Sequence, residues 1–199
     1  MTFNPIMFAH HSNVQSAVVN ALHNNNDDII LDFSGSEASL FLSTILGHDL
    51  AKLTASGFGF KGTLDGDYQS LYSYCVYYFS DTAYRFILKQ AACHQLQALM
   101  NEQQLRFDID YVVRSDLTTL TLSGNNAFNT LVDAFKLTPG IRLSNDKLCY
   151  GAQSGEVFVT AFAHNNEQQF LLAAKADDLQ KWQQYLQNKG FDLIQNHAA

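Results

Sequence analysis

The chain repeats itself, and the repeat limits what it can fold into. The first copy opens with an apolar run, Ile29-Ile30-Leu31-Asp32-Phe33, that ends at Ser34-Gly35 and passes into a helical pattern with Leu40, Phe41, Ile45 and Leu46. The second opens with Leu120-Thr121-Leu122, ends at Ser123-Gly124, and passes into a helical pattern with Phe128, Leu131, Val132 and Phe135. Ser36 and Asn125-Asn126 suit helix starts, where a side-chain oxygen accepts an orphan amide. Further on, Phe86-Ile87-Leu88 matches Phe170-Leu171-Leu172, and Phe107-Asp108-Ile109 matches Phe191-Asp192-Leu193, each 84 residues apart. Between these pairs lie helical patterns over 91–104, with Leu96, Leu99 and Met100, and over 176–189, with Leu179, Trp182, Tyr185 and Leu186. Gly190 stands just past the second, as a helix-ending residue does.

The middle of each copy reads as a hairpin. Residues 71–79 are dense in aromatic and β-branched types, and 157–162 fill that place in the second copy. Each copy is therefore a β-α-β-β-β-α-β unit, and the chain an α+β protein with largely antiparallel sheets. Residues 28–115 form the first unit and 116–199 the second. Residues 1–27 form a leading segment, with a short helix over 12–23 carrying Val14, Ala17, Val18, Ala21 and Leu22. Asn24 to Asp28 then read as a solvated linker.

The composition narrows function. The 199 residues include 12 Lys and Arg against 19 Asp and Glu, a formal charge of −7. Phosphate neutralisation needs a basic surface, so nucleic acid is a poor partner. At 47% hydrophobic residues the chain is too apolar for disorder. No apolar run approaches the roughly 18 residues of a membrane span, and the first residues lack the pattern of a secretion signal. Cys75, Cys93 and Cys149 are far apart in sequence and follow no zinc spacing, so no metal is expected, and a reducing cytoplasm is the simplest compartment. Low charge and 13% aromatic residues suit a protein partner or a homodimer.

Several motifs together resemble a known family. Ser34-Gly35-Ser36-Glu37-Ala38-Ser39-Leu40-Phe41-Leu42, followed by His48-Asp49-Leu50-Ala51-Lys52-Leu53, is similar to the glycine cleavage T-protein (aminomethyltransferase) superfamily. The likeness continues through Cys75 to Phe79, Arg114-Ser115-Asp116-Leu117, Leu120 to Ala127, Trp182 and Gly190, and covers roughly residues 28 to 195. The superfamily includes a folate-using branch that supports iron–sulfur enzymes, and the gamma subunit of heterotetrameric sarcosine oxidases. The resemblance implies a tetrahydrofolate site between the two units. It also implies an acidic pair on a central strand, an Asn after the next strand, and a Glu that holds the pterin ring.

Carried over by position, those roles fall on other residue types. The acidic pair falls on Tyr72 and Ser73, the Asn on Lys89, and the pterin Glu on Phe170. The family's Gly-Tyr-x-Gly stretch becomes Ala161-Phe162-Ala163-His164. The family's C-terminal barrel domain is not expected in this chain. Tyr72, Ser73, Lys89, Phe162 and Phe170 thus mark vestigial folate positions, with no catalytic residue among them. The Gly-rich stretch Gly57, Gly59 and Gly62 reads as a mobile loop that brings Phe60 and Lys61 near the pocket. The resemblance implies a protein that has lost aminomethyl transfer and serves as a binding or subunit-like protein. Its alternatives are a working folate binder in one-carbon transfer or iron–sulfur support, and a gamma-subunit-like part of a sarcosine-oxidase-type complex. Other constellations are bland. Asp65-Gly66-Asp67 reads as a solvated turn, His10-His11 as surface histidines, Cys149 as a small buried hydrophobe, and the stripe of Tyr72, Tyr74 and Tyr78 as sheet packing.

Overall fold

A computed structural model describes residues 19–46, 58–65, 71–103, 106–135, 148–164 and 167–194. In chain order these form β1 (Ala21–Asn25), β2 (Asp28–Ser34), α1 (Ala38–Leu46), β3 (Phe58–Asp65), β4 (Leu71–Ser80), β5 (Ala83–Lys89), α2 (Gln90–Gln103) and β6 (Asp110–Val113). The second half follows with β7 (Thr118–Ser123), α3 (Ala127–Phe135), β8 (Leu148–Ser154), β9 (Val157–His164), β10 (Glu167–Ala174), α4 (Ala176–Asn188) and β11 (Asp192–Ile194). The two copies of β-α-β-β-β-α-β are β2 to β6 and β7 to β11. All eleven strands join one curled sheet in the order β11-β1-β7-β10-β9-β8-β3-β4-β5-β2-β6. The halves meet where β3 pairs antiparallel with β8. Among the described residues, no helix is long and apolar enough to cross a membrane.

Period-two alternation gives each strand two jobs. On the outer faces, Leu31, Phe33, Val76 and Phe86 pack under α1 and α2, and Leu120, Leu122, Val159 and Leu172 pack under α3 and α4. On the inner face, Ile30, Tyr77 and Ile87 of the first half meet Cys149, Phe158, Leu171 and Ala173 of the second. The halves therefore share a core between their sheet faces as well as a sheet edge.

The strand pair β2 and β5 shows how sequence alternation shapes this inner layer. Their register sets Asp28 opposite Lys89, Ile30 opposite Ile87, and Asp32 opposite Arg85. An apolar pair is thus flanked at each end by opposite charges, an arrangement that stabilises cross-strand neighbours. Arg85 is 8% exposed and donates to Asp32 from Nε at 2.7 Å and Nη2 at 2.9 Å. Its guanidinium also lies 5.1 Å from the ring centroids of both Phe79 and Phe158, so it links the halves through a cation–π contact as well.

Two expectations are corrected by the backbone. Residues 21–25 are a strand, not the end of a helix, and 26–27 are a turn rather than part of a linker. Residues 12–18 lie outside the described residues. The reason is a vacant sheet position in the second half. In the first half β6 lies beside β2, with Asp108 and Ile109 against Gly35. In the second half β1 lies beside β7, with Val19 and Asn20 against Gly124, and β11 adds outside β1 in parallel. The N-terminal strand fills the place that β6 takes in the first half, and this buries Leu22 completely. The second correction concerns the glycine-rich stretch. Residues 58–65 are strand β3, not a loop. A side chain at Gly59 would collide with the Val76 carbonyl and the Cys149 sulfur, so the glycine serves close packing across strands. Gly57, Gly66, Asp67, His10 and His11 lie outside the described residues.

Gly35 and Gly124 hold corresponding positions between strand and helix, at φ +144° and +112°. Both angles disfavour side chains, and a Cβ at Gly35 would strike the Asp108 carbonyl, while one at Gly124 would strike Asn20. Gly35→Ala and Gly124→Ala are each expected to lower unfolding free energy by about 2–3 kcal/mol in urea titrations.

Candidate functional site

Where the apolar inner layer stops, a pocket of about 430 Å³ opens between the halves. Its walls are strands from both units. β1 supplies His23 and Asn25, β2 Asp28, β3 Lys61, and β4 Ser73, Cys75 and Tyr77. β5 gives Ile87 and Lys89, β7 Thr121 and Ser123, β9 Phe162, and β10 Gln169 and Leu171. The tight turn between β1 and β2 puts His23, Asn25 and Asp28 here, because β1 belongs to one half's sheet and β2 to the other's.

Among the described residues the lining includes one carboxylate, Asp28, and it is engaged on two sides. Lys89 Nζ lies 2.7 Å from its Oδ1, and the Thr119 hydroxyl donates to its Oδ2 at 2.9 Å. Lys89 also reaches Asp27 at 2.8 Å. Burial alone lowers the Lys89 pKa, but its bonds to Asp27 and Asp28 outweigh that and raise it, so the ammonium stays charged. Asn25 Nδ2 donates to the Thr121 hydroxyl at 2.5 Å, which fixes the β1 side of the pocket. Lys61 lies 5.9 Å from the Phe162 ring centroid. Burial holds the Tyr74 phenol up at about 12. Among the described residues, no group of three His, Cys, Asp or Glu could hold a metal ion.

Four residues singled out from sequence thus line one pocket: Lys61, Ser73, Lys89 and Phe162. Phe170 lies on the opposite face of β10, 3% exposed in the core under α3 and α4, and Phe60 packs into the first half's core. Tyr72 occupies β4 opposite Leu64. Tyr74 and Tyr78 pack toward the first half's outer core, as sheet packing requires. The sequence reading did not single out Asp28, Asn25, Thr121 or Cys75 as site residues. Alternation from Ser73 along β4 points to Cys75 and Tyr77. Nothing local points to Asp28 or Asn25, because their place depends on β1 joining the second half.

The opposite end of the inner layer carries a second charged cluster. Arg114 donates to Asp32 at 2.7 Å and to both oxygens of Asp116 at 2.8 and 2.9 Å. Asp116 is thereby pulled down to about 2.

No protein-family model matches the chain. Among solved structures it is similar to the glycine cleavage system aminomethyltransferase T from Bartonella henselae, with 18% identity and a TM-score of 0.72. That alignment covers 89% of this chain and 48% of the other, so this chain spans about half that protein's length. The chain has a T-protein-like fold. It is also similar to a chain of the heterotetrameric sarcosine oxidase from Corynebacterium sp. U-96, solved with pyrrole 2-carboxylate. There the identity is 13% and the TM-score 0.57, over 81% of this chain and 78% of that one. At these identities the likeness is one of fold.

The Asp32 cluster makes stability depend on acid. Burial raises the Asp32 pKa, but hydrogen bonds from Arg85 and then Arg114 outweigh it, so the folded value is lowered. Its contribution is complete above the unfolded carboxyl value of about 3.9 and is lost as pH falls through the folded value. The urea midpoint is expected to fall as pH drops from about 5 toward 3, and Asp32→Asn should flatten that dependence. Arg85→Met should cost about 3 kcal/mol at pH 7, because it strips the buried partner from Asp32.

Proposed function

We propose that this protein is a ligand-binding protein of T-protein-like fold that takes a folate-type heterocycle in the pocket between its halves and does not transfer aminomethyl groups. The observation that carries this reading is the state of Asp28. A general base needs a carboxylate that can accept a proton from its substrate. Asp28 is bound by an ammonium at 2.7 Å on one oxygen and a hydroxyl at 2.9 Å on the other, so both oxygens are already engaged. The positions where the resemblance implies further carboxylates hold Tyr72, Ser73 and Phe170.

Binding chemistry is well supplied. Phe162 offers an aromatic face and Lys61 positive charge for an anionic tail, while Lys89 holds Asp27 and Asp28 in place at the rim. Ser73, Asn25 and Gln169 offer donors and acceptors for a polar ring edge, whose N–H groups must be paired when buried. A pocket of about 430 Å³ falls within the usual size for such sites.

A second reading is a subunit of a larger complex, possessing the same fold as the chain of the heterotetrameric oxidase. The observation that favours it is β6 at one end of the sheet, where Val112 is 55% and Val113 37% exposed. Such a strand edge suits pairing with another chain.

The test is isothermal titration with tetrahydrofolate and its 5-formyl derivative. The expected result is micromolar binding, weakened about tenfold or more by Phe162→Ala and by Lys89→Ala, with no aminomethyl transfer in a coupled assay. Measurable transfer would overturn the non-catalytic part. Absence of heat and of thermal shift at millimolar ligand would overturn the folate part and leave the subunit reading.

A further inference from the structure

One amide in the pocket has both its donor and its acceptor unspent. Alternation along β10 sends Phe170 to the outer core and delivers Gln169 and Leu171 to the pocket. Gln169 stands opposite Phe162 of β9, which lines the same pocket. Directly opposed residues on one face have Cβ atoms about 5 Å apart, so the amide stands beside the Phe162 ring. Gln169 is half-buried, and among the described residues its side chain has no hydrogen-bond partner. The neighbouring amide and carboxylate are committed. Asn25 Nδ2 is bonded to Thr121 at 2.5 Å, and the two oxygens of Asp28 are held by Lys89 and Thr119.

The kind of ring edge this suits follows from donors and acceptors. A carboxylate only accepts, so it pairs with two adjacent N–H groups, the edge that a 2-aminopyrimidine ring offers. A side-chain amide holds a C=O beside an NH2, so it pairs with an N–H next to a C=O, which is a lactam edge.

We propose that Gln169 selects among rings in this pocket and favours a 2,4-dioxopyrimidine ring over its 2-amino-4-oxo counterpart, a selection that rests on the pocket taking a folate-type ring at all. With the ring laid on Phe162, the Gln169 carbonyl accepts from the ring N–H, and its NH2 donates to a flanking ring carbonyl. A dioxo ring carries a carbonyl on both sides of that N–H, so either side can pair. A 2-amino-4-oxo ring pairs on one side only. It also brings an amino group whose hydrogens need acceptors, and the Asp28 oxygens are already engaged. A buried donor left without a partner costs affinity. The preference belongs to the ring edge, so the charge of Lys61 acts equally on both ligands when their tails are the same.

Isothermal titration of the intact protein with folic acid and with its 2-deamino-2-oxo analogue tests this. The two differ in one exocyclic group and share the ring system and the anionic tail. Wild type is expected to bind the 2-oxo analogue about tenfold more tightly, the worth of one well-placed two-point contact. Gln169→Glu trades the amide's donor for an acceptor and should reverse the order, with the 2-oxo analogue weakened about tenfold or more. Gln169→Met, of similar length with neither group, should bring the two dissociation constants within about threefold of each other. Equal or tighter binding of folic acid by wild type, or a preference that survives Gln169→Glu or Gln169→Met, would overturn the proposal and leave the folate-type pocket standing. No binding of either compound, by a protein that melts as a folded chain, would overturn both.

Discussion

Two sheet faces must be kept dry against one another, and the rest of the molecule follows from that. The strands of each half are covered outside by their own helices, but inside they have only the other half. Neither unit can bury Ile30, Tyr77 and Ile87, or Phe158, Leu171 and Ala173, without its partner. The shared edge between β3 and β8 sets the halves in register, and the inner apolar layer holds them face to face. Arg85, bonded to Asp32 and placed between Phe79 and Phe158, closes one end of that layer with charge that is fully paired.

The pocket is the other end of the same layer. β2 and β5 carry matching patterns of charge, isoleucine and charge, so one charged pair closes the layer and the other, Asp28 with Lys89, faces a cavity. This is why, among the described residues, a fold akin to that of an aminomethyltransferase presents a polar pocket whose acid is already paired. The carboxylate present is a member of the sheet's own cross-strand pairing, and Thr119 of the second half completes its shell. Strand glycine has a comparable double effect. Gly59 lets Cys149 of β8 and Tyr77 of β4 close over β3, which tightens the inner core and at the same time draws the two halves together.

The sequence by itself determined the repeat, the order of strands and helices, and most of their boundaries. Those features depend on local periodicity, and each copy reports the other. The family resemblance, carried over by position, singled out Ser73, Lys89 and Phe162 before any partner was known, and the glycine-rich stretch singled out Lys61. Tertiary structure alone decided where β1 goes. Its residues carry too little pattern to separate a helix end from a short strand, and their strand form comes from pairing with β7 and β11. The same pairing brought Asn25 and Asp28 to the pocket, and pairing with β4 and β8 made β3 a strand rather than a loop. It also set Cys149 against Tyr77 over Gly59. Contacts of this kind join residues far apart in the chain, so local spacing holds no record of them.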